Sequence, residues 1–189
     1  ENVSAWDKYM IEKRKKYEAN DILMNFVDNH DENSWNGTIQ SRLGAAEEAM
    51  TALTYVMPGM PLVYSGNEYG LNHSLKFFEK DSIPKVKGKD WELRAKLGQL
   101  KKDNPALNGG KNPAGFNRIN TSSDSTILAF EREKEGKKVI YVANLSKTNQ
   151  KVKLEISGTF TNFMTNEKVT LSEGKEISLQ PWQYYILTN

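Results

Sequence analysis

Apolar residues recur at helical spacing in three stretches of the chain. Trp6, Tyr9, Met10 and Tyr17 fall near one face of a helix, with Ser4 predicted as its N-cap, Asp7 reaching back in a capping box, and Asn20-Asp21 ending it. Ile39, Leu43, Ala46, Met50, Leu53 and Met57 follow at spacings of four and three, which predicts one long amphipathic helix stopped by Pro58-Gly59. Leu93, Leu97 and Leu100 form a third stripe, with Asp90 as the predicted cap. Lys101 and Lys102 sit in its last turn, and Asp103-Asn104-Pro105 is the stop. Between the first two helices, residues 22–27 are nearly continuously apolar, interrupted by one Asn. That texture predicts a strand covered on both faces, as in a parallel sheet. Residues 61–64 predict a second short strand, so strand, helix and strand form a βαβ unit with a right-handed crossover. Residues 67–89 are irregular, and a loop of that length usually has work to do.

After Pro105 the pattern changes. Residues 108–113, Asn-Gly-Gly-Lys-Asn-Pro, read as a linker, and five strands are then predicted at 126–131, 138–144, 151–156, 176–179 and 183–187. Residues 133–137 form a hairpin turn between the first two. Trp182, Tyr184 and Tyr185 are predicted core residues. The result is an antiparallel sandwich or barrel of roughly eighty residues, large enough to fold alone. The first hundred residues are harder to close. Two parallel strands cannot bury both faces of a sheet, so this half reads as the tail of a larger α/β domain.

Composition narrows the function. The chain has 189 residues, 38% hydrophobic and 26% charged, with a formal net charge of +2. No apolar run approaches a membrane span, and the first four residues do not read as a signal peptide. The absence of cysteine excludes disulfides and thiolate zinc sites. Seven Lys or Arg residues fall in 85–102, but acidic residues and leucines interleave with them. This is a solvated helix face, not a nucleic-acid site.

The candidate chemistry lies at Asn29-His30-Asp31, where the first apolar run stops. On residue type alone such a tripeptide is a turn. Its position adds weight, because parallel α/β folds bind ligands at the carboxyl ends of their strands. One carboxylate and one imidazole are too few for most reactions, and nothing places His73 with them.

These residues, with three further segments, resemble the α-amylase family of glycoside hydrolases. Phe26-Val27-Asp28-Asn29-His30-Asp31 is similar to the family's fourth signature region. The run from Met57 to Gly70 resembles the next strand and its turn. Phe77-Phe78-Glu79-Lys80-Asp81-Ser82-Ile83 resembles the loop that follows, and the stretch from Leu97 to Leu107 the last barrel helix and its Pro-Ala-Leu exit. All four occur in the family's order. The resemblance implies an α/β plus all-β chain. Residues 1–107 would be the C-terminal portion of a (β/α)8 barrel, holding about its seventh and eighth strands. Residues 108–189 would be a C-terminal antiparallel β-sandwich domain.

By the same resemblance, Asp31 is the catalytic carboxylate that stabilises an oxocarbenium-like transition state. His30 hydrogen-bonds sugar hydroxyls, and Asn29 and Trp35 belong with substrate binding. Trp35 has two readings, a stacking surface for a sugar or a loop anchor against the rim. Retaining hydrolysis needs a nucleophile and a general acid about 5–5.5 Å apart, and the family takes both from strands that would precede Glu1. Asp28, Glu32, Glu68 and Glu79 do not match either pattern, and Tyr64 and Glu68 read as loop support. Many relatives carry Arg three residues after the motif Asp, where this chain has Ser34.

The expected partner is an α-glucan oligosaccharide, with no nucleic acid and no membrane. No cofactor or metal is expected within the chain, because Asp28, Asp31, Glu32 and Asn33 lack the Gly and distant Glu of a calcium loop. Calcium in the full-length parent would be held elsewhere. The chain alone is expected to be inactive and to self-associate through apolar surface of an incomplete barrel. Localisation is open, with secretion, periplasm or cell surface the settings the family suggests. Two rival readings are a non-catalytic carbohydrate-binding module and a transglycosylating or isomerising member of the same family.

Overall fold

The structure, a computed structural model, describes residues 2–189. Helix α1 spans Val3–Lys16. Its cap is Asn2, not Ser4: the Asn2 Oδ1 accepts from the Ser4 backbone N (2.8 Å) and from the Ser4 hydroxyl (2.6 Å). Asn caps about as well as Ser, and here it takes the end. Asp7 does not reach back either, because its Oδ1 accepts from the Arg118 guanidinium at 2.9 Å. The helix stops at Lys16, ahead of Asn20, with four basic residues in its last turn.

Strand β1 is Met24–Asn25 and β2 is Met60–Pro61. They pair in parallel, Met24 opposite Met60, and Leu62 N donating to Asn25 O (2.8 Å) carries the pairing one step further. Both strands are shorter than expected, and β1 is covered on one face only. Its buried residue is Asn25, whose amide donates to Thr54 O (3.4 Å) and Pro58 O (3.2 Å). Met24 and Phe26, on the other face, are exposed. The continuous apolar run thus serves one helix-covered face and one open face. Gly59 permits the close approach at the start of β2, since a Cβ there would lie 2.5 Å from Leu23 O.

The long helix predicted over 39–57 is broken. Helix α2 is Ile39–Leu43 and α3 is Glu47–Val56, joined by a tight turn at Gly44–Ala46. Gly44 sits at φ 52°, ψ −126°, a conformation open to glycine and costly for other residues. The apolar stripe survives the break, with Ile39, Ala46, Leu53 and Met57 all buried. Helix α4 spans Lys89–Asp103, with Gly88 at the cap position. Asp90 lies one residue inside and pairs with Arg94 (3.3 Å). Leu97 and Leu100 are buried, and the chain leaves the helix at Asn104-Pro105 as expected.

The remaining chain is antiparallel sheet. Strands β3 (Gly115–Arg118), β4 (Ile127–Lys134), β5 (Lys137–Asn144), β7 (Gly158–Asn162), β8 (Lys168–Leu171) and β10 (Tyr184–Thr188) form one sheet in the order β3-β4-β5-β10-β7-β8. Strands β6 (Gln150–Lys153) and β9 (Glu176–Leu179) form a second layer. All five expected strands are present, β9 with the predicted ends and the other four with shifted ends. The unexpected ones, β3, β7 and β8, are short and rich in Gly, Thr, Asn and Lys, so little apolar alternation marks them. The β4–β5 hairpin turns at Glu135-Gly136, both with positive φ (53° and 76°), the backbone of a two-residue type I′ loop.

The large sheet is covered on both sides. Ile127, Ala129, Ile140, Val142 and Leu187 belong to one buried cluster with Val152, Leu154 and Leu179 from the β6–β9 side. Leu128, Phe130, Val139, Tyr141 and Ile186 belong to another with Met10, Leu53, Val56, Leu97 and Leu100 of the helices. The helical part and the sheet therefore share a core. Polar side chains cross it as well: the Tyr141 hydroxyl donates to Ala49 O at 2.7 Å, and Tyr184 donates to Glu48 at 2.7 Å. Tyr184 and Tyr185 pack into opposite clusters, whereas Trp182 stands in the turn before β10 at φ 61° and is no core residue.

Candidate functional site

The chain beyond β1 and the chain beyond β2 meet at one end of the parallel pair. After Val27 the backbone makes a helical turn capped by Asn29, whose Oδ1 accepts from Glu32 N (2.8 Å) while its backbone O accepts from Asn33 N (2.9 Å). The turn continues as a π-helical segment, Glu32–Asn36. The Asn29 side-chain oxygen is thus committed to the backbone, and its amide N–H is what it can offer a ligand. His30 and Asp31 open the turn. Their side chains are each 65% exposed, with Nε2 and Oδ2 3.5 Å apart. Trp35, near the end of the same turn, lies 5.4 Å from the Phe77 ring and is not buried against the rim.

A buried polar frame supports this turn. Asp28 is 1% exposed and accepts from Arg42 Nη2 at 2.8 Å and from Asn67 Nδ2 at 3.1 Å. The same guanidinium donates to Val27 O (2.9 Å) and Gly37 O (3.1 Å), spanning the turn from its entry to its exit. Asn33 Oδ1 accepts from Leu75 N (2.8 Å), and the Thr38 hydroxyl bonds Asn72 Oδ1 (3.0 Å), which ties the turn to the loop after β2. Asn67 Oδ1 also accepts from Tyr64 N (3.1 Å). A carboxylate this deeply buried persists as an ion only when paired and hydrogen-bonded, and Asp28 is both. Burial, and then the Asp28 charge, push the Tyr64 phenol up. Glu68 braces the second loop, accepting from Gly66 N at 3.0 Å.

The sequence pattern raised Asp28 and Asn33 only as catalytic or calcium candidates, and it gave Arg42 and Asn67 no role. A signal existed for the first, since a carboxylate placed directly after an apolar run is bound for burial and will need a cation. The partners gave none, lying 14 (Arg42) and 39 (Asn67) residues from Asp28. The frame also bears on calcium. Asp28 is saturated by a guanidinium and an amide, Asn33 is spent on a backbone N–H, and Arg42 brings positive charge, so these residues do not fit a cation. Among the described residues no group of three or more His, Cys, Asp or Glu side chains could hold a metal ion, and no helix is long and apolar enough to cross a membrane.

Chemically, the arrangement presents one solvent-facing carboxylate and one imidazole side by side on a rigid base. Such a pair can stabilise positive charge and bond hydroxyl groups. Double displacement at a glycosidic bond uses two carboxyl groups about 5–5.5 Å apart, and this pair supplies one.

Comparison with known proteins agrees with the architecture. Residues 117–186 match the family model described as Maltogenic Amylase, C-terminal domain. That β-rich stretch is similar to the C-terminal domain of maltogenic amylases. No curated protein matches the chain. Among solved structures, the noncanonic maltogenic α-amylase AmyB from Thermotoga neapolitana superposes on 100% of this chain with a TM-score of 0.83 at 19% identity, using 46% of its own length. An Anoxybacillus α-amylase gives 0.76 at 21% identity over 100% of this chain and 42% of its own. The α-amylase of Geobacillus thermoleovorans, solved with acarbose, gives 0.72 at 15% identity over 99% and 43%. The chain thus spans less than half the length of each.

Proposed function

We propose that this chain is the C-terminal part of a retaining α-glucoside hydrolase acting on starch or maltooligosaccharides, with Asp31 as its transition-state stabiliser. In this reading β1 and β2 are the seventh and eighth strands of a (β/α)8 barrel, and the β domain begins near residue 108. The observation that carries the reading is the placement of His30 and Asp31. They stand exposed and adjacent at the end of β1, on a turn fixed from beneath by the Asp28–Arg42 pair. The acarbose complex of a structural neighbour supports a maltooligosaccharide-like ligand.

As C1–O cleavage proceeds, the sugar ring acquires positive charge, and an ionised Asp31 beside it lowers the barrier. His30, and the Asn29 amide, bond ring hydroxyls whose contacts tighten as the ring flattens. Trp35 offers an apolar face to a neighbouring sugar. The nucleophile and general acid come from another part of the parent, so the 189-residue chain alone is inactive.

The test is maltoheptaose turnover by the full-length parent. Asp31→Asn should lower kcat by about 10²–10³-fold, on the scale of losing one transition-state-stabilising group, and the 189-residue chain should show no turnover. An Asp31→Asn parent of undiminished kcat would sink the assignment. Product analysis in the same assay separates hydrolysis from transfer or isomerisation.

A further inference from the structure

Three aromatic rings stand together on the turn that carries Asp31 and the loop joined to it. Trp35 and Phe77 have centroids 5.4 Å apart at 42°, and Phe77 and Phe78 4.8 Å apart at 70°. They are 63%, 47% and 85% exposed. Single exposed apolar residues are ordinary, whereas a contiguous exposed group marks a contact surface. Trp35 follows Asp31 by four residues within one helical turn, a spacing that sets both on the same side. The two phenylalanines come from the loop after β2, which the Asn33–Leu75 and Thr38–Asn72 bonds join to that turn.

The loop itself is built to hold its shape. Asp81 accepts from Lys76 N (3.1 Å) and Ser82 N (2.8 Å), folding the loop back just beyond the phenylalanines. Those two backbone bonds hold its carboxyl below the usual range. Lys76 pairs with Glu79 at 3.0 Å, and His73 faces Asp81 at 3.7 Å. The rings are therefore presented on an ordered polar base, with donors and acceptors on the same loop.

We infer that Trp35, Phe77 and Phe78 form a stacking platform for a second glucose unit of an α-linked chain that passes Asp31. The choice of α-glucan rests on the function proposed above. The stacking itself rests on the rings. A pyranose presents a face of weakly positive C–H groups that suits the negative face of an aromatic ring. Its hydroxyls project around the edge, where His73, Lys76, Glu79 and Asp81 can meet them. The successive tilts of 42° and 70° mean that the three rings do not form one flat face. A surface that is not flat suits the bend of an α-1,4 chain better than the straight ribbon of a β-1,4 chain.

The experiment titrates maltoheptaose and cellohexaose into the 189-residue chain, following the Trp35 indole N–H cross-peak, assigned by its loss in Trp35→Phe. Maltoheptaose should shift this peak, and cellohexaose should bind at least about tenfold more weakly. Phe78→Ala should weaken maltoheptaose about five- to tenfold, the scale of one aromatic contact. Phe78 is so exposed that its loss will not unfold the chain. An unmoved peak, or unchanged affinity in Phe78→Ala, overturns the platform. Equal binding of both sugars overturns its assignment to α-linked chains. The two readings stay apart: parent activity insensitive to Asp31 defeats the proposed reaction, and an indifferent Phe78 defeats the platform.

Discussion

At the residue scale, Asp28 and Asp31 show how three positions separate framework from chemistry. Asp28 is sealed beneath the turn, with every close partner a donor. Removing it strands the Arg42 guanidinium, whose side chain is 20% exposed. Breaking a fully buried pair costs about 3–5 kcal/mol; with Arg42 partly wet, Asp28→Ala should cost about 2–3 kcal/mol in urea unfolding. Asp31→Asn, at a solvent-facing position, should change stability by less than about 0.5 kcal/mol. If the two substitutions destabilised equally, Asp31 would be part of the frame. The tripeptide could be read from sequence because turn residues after an apolar run expose their side chains. The frame could not, because its bonds join residues far apart in the chain.

At the element scale, Arg132 adds a polar tie between β4 and the helical part to the apolar packing of Leu128 and Phe130. Arg132 donates to Gly115 O (3.0 Å), Val56 O (3.2 Å) and Asn108 O (3.1 Å), joining β3, the end of α3 and the segment after α4. Burial lowers its pKa to about 10. Arg132→Met leaves three carbonyls without this donor and should cost about 3 kcal/mol, at about 1–3 kcal/mol per buried unsatisfied group. It should also raise the pKa of Lys101, which burial first and the Arg132 charge second hold at about 8. A Lys101 side-chain NMR titration reads that directly. Between about pH 8 and 10.5 the unfolded chain binds the proton that folded Lys101 has shed, so this group makes stability rise with pH. Tyr184 acts the other way. Burial, then its bond to Glu48, raise its pKa, so above about pH 10 unfolding releases a proton and stability falls. Tyr184→Phe should reduce the alkaline fall in Tm and leave the earlier rise, with Tyr141 and Tyr55, both raised by burial, contributing to the remaining fall. Elements whose stability comes from such long-range bonds leave weak local traces. β4 and β5 were readable from continuous apolar runs, but β7 offers mainly Phe160 among Gly, Thr and Asn. Gly44 lies inside the stretch predicted as one helix, and its backbone angles end α2 there.

At the scale of the molecule, apolar surface is spread unevenly. The sheet of the β domain is buried on both faces, yet the outer face of β1 and β2 is bare. Ile22, Met24, Phe26 and Met60 are exposed by 50%, 55%, 41% and 52%. That face was legible in the sequence only as an apolar run, because the run does not say what covers it. Its two strands are paired to each other, and each has an open side where further strands could add. Contiguous apolar area next to unpaired strand edges promotes association in water. The 189-residue chain should therefore sediment above its 21.5 kDa monomer mass at micromolar concentration and bind a hydrophobic dye. Met24→Lys with Phe26→Lys should restore the monomer without unfolding it, because both side chains already face solvent. A wild-type chain that stays monomeric and dye-free would mean this face is inert. Recovery of the monomer on charging the face locates association at β1 and β2, the surface that the rest of a barrel would cover in the proposed parent.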